Sequence, residues 1–163
     1  MGIPKYSPIV AAVILLAGCA PITDAADYEQ ATGELRSLVD ALAATVPGEW
    51  EITATGARAC NLPGGGTGAT LLLLGLGPGV ERGTERETAD RMVTILTDSG
   101  YDITLSDRSL ADGPLVLEGR SPGAGPDPEG FMVFGVSERA TTIQGQARCA
   151  AGDANQINSE TDD

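Results

Sequence analysis

Between Asp27 and Val46 the apolar residues Tyr28, Ala31, Leu35, Leu38, Val39 and Leu42 recur at intervals of three and four, the spacing that lines one face of an α-helix. Gly33 weakens the first half of that helix, and Pro47-Gly48 stops it. Trp50 to Thr55 then alternates apolar and polar as a half-buried strand does. Asn61 to Gly68 is too rich in glycine for regular structure and reads as a mobile loop. Ala69 to Leu76 is the most apolar segment of the folded part, and its length and flanking glycines suit a central strand buried on both faces. Thr84-Glu85-Arg86-Glu87 has the form of a capping box, and Ala89, Met92, Val93 and Leu96 supply the buried stripe of a second helix that ends at Ser99-Gly100.

The second half of the chain keeps period two. Tyr101, Ile103 and Leu105 alternate with Asp102, Thr104 and Ser106, and Leu115 to Glu118 is a short strand after the Asp112-Gly113-Pro114 turn. A Pro/Gly loop from Ser121 to Gly130 separates it from Phe131 to Ser137, a strand with Phe131, Val133 and Gly135 on one face. Thr141 to Cys149 alternates throughout, with Ile143, Gly145, Ala147 and Cys149 on the inner side. Residues 150–163 contain one large apolar residue, Ile157, end in acid, and read as a disordered tail. Helix, strand, strand, helix and then several strands in succession predict an α+β fold: a mainly antiparallel sheet with two helices packed on one face.

The chain ahead of this domain has a different character. Ile9 to Ala17 is an uncharged apolar run, far short of the roughly 20 residues a helix needs to span ~30 Å of hydrocarbon. Lys5 and the terminal amine supply the positive charge of a short cytoplasm-facing segment. The run closes with Leu16-Ala17-Gly18-Cys19, which resembles the lipobox of bacterial lipoprotein precursors. That resemblance covers only about the first 20 residues. It implies that residues 1–18 are a cleaved signal peptide and that Cys19 takes a diacylglycerol thioether, then becomes the acylated first residue of the mature chain. Two or more acyl chains hold stably where one does so only marginally. Residues 19–26 then form a lipidated tether, 27–149 a single domain at the extracytoplasmic face of the cell membrane, and 150–163 the acidic tail.

With Cys19 committed to lipid, the resemblance leaves Cys60 and Cys149 as an even pair in an oxidising compartment, where a disulfide is expected. Closing a loop of about 90 residues stabilises a fold by roughly 4 to 5 kcal/mol in the chain-entropy model. Charge narrows the partners further. The chain holds 23 acidic and 10 basic residues, for a net charge of −13. Its one lysine, Lys5, leaves with the signal peptide. Such a surface repels nucleic acid and anionic lipid, so the membrane is reached through the lipid on Cys19 and a protein partner would be basic.

Catalytic chemistry has little to work with. The chain contains no His, so the G-x-S-x-G match at Gly119-Arg120-Ser121-Pro122-Gly123 lacks its usual base, and Pro122 is wrong for the helix that should follow. Gly75, Gly77 and Gly79 sit where a dinucleotide fold keeps its phosphate-binding glycines, but Val80 replaces the third and Glu85 and Glu87 already charge the helix N-terminus, so they read as a flexible loop. Asp102, Asp107, Asp112, Asp127 and Glu129 are oxygen donors without the spacing of a calcium loop. No metal, cofactor or catalytic residue is assigned. Trp50 is a candidate ligand platform, with core packing as its alternative. The expectation is a small lipid-anchored lipoprotein with a non-catalytic binding role at the cell envelope. The alternatives are an envelope enzyme using carboxylates on a polysaccharide or peptidoglycan, and a structural or immunity-type partner.

Overall fold

The computed structural model describes residues 24–111, 113–121 and 130–161. The signal segment, Leu16, Ala17, Gly18 and Cys19, most of the tether, the loop after Ser121, and Asp112, Asp127 and Glu129 lie outside them. The elements run α1 (Asp24–Ala43), β1 (Glu51–Asn61), β2 (Thr67–Pro78), α2 (Glu85–Asp98), β3 (Thr104–Asp107), β4 (Val116–Arg120), β5 (Phe131–Ser137), β6 (Ala140–Gln146) and α3 (Ala154–Thr161). The six strands form one antiparallel sheet in the order β1-β2-β6-β5-β4-β3. The fold is α+β. No described helix is long and apolar enough to cross a membrane.

One face of the sheet meets the helices. Ala31, Leu35, Val39 and Leu42 of α1 and Ala89, Met92 and Leu96 of α2 are buried in one cluster with Leu71, Leu73, Leu117, Met132, Phe134 and Ile143 from the strands. α1 lies over β2 and β6, and α2 over β4 and β5. At about 25 cal/mol per Å² of apolar surface, this shared layer is the main favourable contribution to folding. On β5 the core face is Met132, Phe134 and Val136, so Phe131, Val133 and Gly135 share the opposite one.

Five expectations need correction. First, α1 starts at Asp24, inside the segment read as tether. Second, β2 is flanked by strands on both edges, but it is buried on both faces only over Gly68 to Leu71. Leu74 and Leu76 are 41% and 52% exposed, because an unbroken leucine run still alternates sides in a strand. Gly75 and Gly77 belong to this strand and not to a loop. Third, the capping box does not form. The Thr84 hydroxyl donates to the Glu81 carbonyl at 2.8 Å, the Thr84 N–H bonds the same carbonyl at 3.0 Å, and the Glu85 carboxylate accepts from the Gly83 N–H at 2.7 Å. A turn from Glu81 to Thr84 thus takes up the groups the box would use.

Fourth, residues 154–161 form a helix where the sequence suggested a disordered tail. Asp153 caps it, its carboxylate accepting the Asn155 N–H at 2.8 Å. Ala154 and Ile157 pack against Ala57, Ala69 and Tyr28 at the end of the helical layer. β1 bulges between Thr55 and Arg58, and the Asn158 amide meets Ala57 there. The Ala57 N–H donates to Asn158 Oδ1 at 2.7 Å, and Asn158 Nδ2 donates to the Ala57 carbonyl at 3.0 Å. Fifth, the segment read as a mobile loop is a hairpin turn, in which the Leu62 N–H bonds the Gly66 carbonyl at 3.1 Å.

Candidate binding cleft

Cys60 at the end of β1 and Cys149 beyond β6 are joined in a disulfide, with 5.9 Å between their α-carbons. The bridge ties down the segment that follows β6. Ala147 N–H bonds the Leu71 carbonyl at 2.9 Å and Ala150 N–H the Ala69 carbonyl at 3.0 Å. Arg148 is therefore held between fixed neighbours and reaches α1, where its guanidinium donates to Asp27 Oδ1 at 2.9 Å and lies 3.9 Å from Glu34. Asp27 and Glu34 are seven residues apart, so they share one face two turns along the helix.

Beside this ion pair a cleft of about 720 Å³ opens between α1 and the C-terminal end of α2, within the range of small-ligand sites. Its floor is apolar, formed by Ala31, Leu35, Leu38, Ile95 and Ala147. Gly33, Ser37 and Ala41 lie four residues apart along α1 and leave the space a larger side chain would fill. Polar groups stand at the rim: Glu34, Ser99, Tyr101 and Arg148. Tyr101 is placed there by the end of α2. Gly100 takes φ 90°, and the Tyr101 N–H turns back to the Leu96 carbonyl at 2.9 Å.

The electrostatics follow from these contacts. The hydrogen bond from Arg148 holds the Asp27 carboxyl below the usual carboxylate range, with the Ala151 N–H adding to it. Burial pushes the Tyr101 phenol up, and the nearby charge of Glu34 acts in the same direction. The cleft thus presents one carboxylate, that of Glu34, a guanidinium already paired to Asp27, and a neutral phenol above an apolar floor. It has the makings of a binding site for a molecule with an apolar body and a polar end.

The other candidates fall elsewhere. Trp50 is half-buried, its Nε1–H donates to the Val46 carbonyl at 3.1 Å, and its ring lies against Gly77, which is the packing alternative. Ser121 is buried, and its hydroxyl sits in a strand-like exchange with the Met132 backbone, accepting the Met132 N–H at 2.9 Å. Gly119 lies under the Phe134 ring. Among the described residues no cluster of three or more His, Cys, Asp or Glu side chains is arranged to hold a metal ion. Sequence reasoning did not find the cleft. The small residues at Gly33, Ser37 and Ala41 were its legible signal, whereas the approach of Arg148 depends on the disulfide and the sheet order.

No protein-family model matches the chain, and no curated protein matches it. Among solved structures, it is similar to the crystal structure of a DUF4853 family protein from Actinomyces odontolyticus. The TM-score is 0.50 and the sequence identity 13%, over 80% of this chain and 70% of that one. Likeness at this identity bears on the fold alone, since one fold hosts many functions.

Proposed function

We propose that this chain is a lipid-anchored lipoprotein, tethered through Cys19 at the extracytoplasmic face of the membrane, whose folded domain holds a small amphipathic ligand without catalysing a reaction. The observation that carries the reading is the distribution of the three cysteines. Two are paired with each other across 89 residues of sequence, as suits an oxidising compartment. The third closes Leu16-Ala17-Gly18-Cys19 after an apolar run of signal length. A short tether from Cys19 to the start of α1 would keep the domain close to the membrane surface.

The binding half of the reading rests on the cleft between α1 and α2. A floor of aliphatic side chains takes an apolar body, and Glu34, Ser99 and Tyr101 can bond a polar end that carries donors. An apolar fluorescent probe such as N-phenyl-1-naphthylamine tests it. Saturable fluorescence enhancement is expected with the full chain and is expected to fall at least tenfold in affinity in Ala41→Trp, where an indole fills the cleft. Unsaturable enhancement, or equal binding by the variant, would contradict the assignment.

A further inference from the structure

The charges around the cleft between α1 and α2 do not balance. Its lining holds one carboxylate, Glu34, and one guanidinium, Arg148, yet the guanidinium is spent elsewhere. Arg148 donates to Asp27 Oδ1 at 2.9 Å and stands 3.9 Å from Glu34, so one positive charge serves two negative ones. The Glu34 side chain is 59% exposed and also accepts from the neutral Gln30 amide at 2.9 Å. Among the described residues no second basic side chain lines the cleft. Arg36 comes two residues after Glu34 and so faces away from it, and the Arg91 guanidinium is turned back to the Thr88 hydroxyl at 3.2 Å. Across the cleft, Asp98 precedes Ser99 and Asp102 follows Tyr101, both exposed. The excess is felt at the rim, where the charge of Glu34 adds to burial in pushing up the Tyr101 phenol.

This imbalance selects the head group of a ligand. An anionic head would have to draw Arg148 away from Asp27 and would meet Glu34 as a like charge. A neutral head gains hydrogen bonds alone. A protonated amine gains more, because its N–H groups donate to a carboxylate that keeps an uncompensated charge, and the hydroxyl oxygens of Ser99 and Tyr101 are further acceptors. The Tyr101 ring adds a π-face that attracts cations. A net charge of −13 draws cations towards the molecule and holds anions off. Resting on the reading of this cleft as a ligand site, we infer that its ligand is a cationic amphiphile, an apolar chain ending in a protonated amine. The ammonium head is held at Glu34, and the chain lies over Leu35, Leu38 and Ile95 in a space of about 720 Å³.

Displacement of N-phenyl-1-naphthylamine from the purified full chain tests it, counting only the bound probe that Ala41→Trp loses. The competitors are decylammonium and decyl sulfate, equal in chain length and both kept below their micelle concentrations. Decylammonium is expected to compete about tenfold more tightly, since one head gains an ion pair where the other meets a like charge. Glu34→Gln is expected to shrink that preference to about threefold or less. Glu29→Gln removes the same charge five residues earlier, on another side of α1, and is expected to keep it. Equal competition by the two amphiphiles for a saturably bound probe would overturn the inference while leaving the cleft a binding site. An undiminished preference in Glu34→Gln, or an equal loss in Glu29→Gln, would overturn it too. Absence of any saturable, Ala41→Trp-sensitive probe binding would instead overturn the cleft reading itself, and the inference with it.

Discussion

Gly77 shows how one absent methyl group sets the place of the only tryptophan. A Cβ there would run into the Trp50 ring, whose Nε1–H is bonded to the Val46 carbonyl in the turn after α1. Gly77→Ala must therefore push the indole outward or bend β2, and overpacking of this kind costs about 1 to 3 kcal/mol. Because the chain has a single tryptophan, the expected outcome is a red-shifted emission together with a lower urea midpoint. Unchanged emission and stability would mean that the ring does not lie where described. Asp27 makes a second prediction. Its folded-state pKa is lowered, first by Arg148, so its contribution is present above the unfolded carboxylate value near ~3.9 and is lost as pH falls through the folded value. The pair is partly exposed, so the effect is about 0.5 to 1 kcal/mol. In urea titrations Asp27→Asn is expected to be less stable than the parent at pH 7 and equal to it near pH 2.

At the scale of elements, the Asn158 side chain ties α3 to β1. The bulge in β1 leaves the N–H and carbonyl of Ala57 outside the ladder with β2, and the Asn158 amide satisfies both. Asn158→Ala leaves a donor and an acceptor without partners, a loss of about 1 to 2 kcal/mol. Amide exchange at Ala57 and through α3 is expected to accelerate at least tenfold while the exchange of Leu73 and Phe134 stays near its parent rate. Acceleration across the whole sheet would contradict the idea that α3 opens independently. This helix also shows where sequence reasoning stops. α1 and α2 were legible because their apolar residues recur at helical spacing and large side chains fill the stripe. α3 offers Ala154, Ile157 and a capping Asp153, too little apolar surface to stand alone, and it forms because β1 and β2 supply the other half of the contact. Most strands were legible from alternation and β2 from its apolar run, but leucines on both sides of a strand conceal which side is covered. The Cys60–Cys149 bridge was legible from counting, whereas the cleft at Arg148 required knowing that the bridge carries that residue to α1.

The whole molecule divides into surfaces with separate physical characters. Its helical side has a cleft with an apolar floor and a polar rim. The sheet side away from the helices is uncharged across β2, β6 and β5, and in the sequence Asp24 follows Cys19 by five residues. A net charge of −13 disfavours contact with anionic headgroups, so the membrane attachment proposed above is the covalent one at Cys19. Everything in the account of location rests on that attachment. The direct measurement is intact and N-terminal peptide mass spectrometry of the chain isolated from the membranes of the cells that make it. The account predicts a mature protein that begins at Cys19 and carries a diacylglyceryl group, while Cys19→Ala accumulates as the unprocessed, lipid-free precursor. A mature chain that begins at another residue, or a Cys19 found as a free thiol, would contradict it.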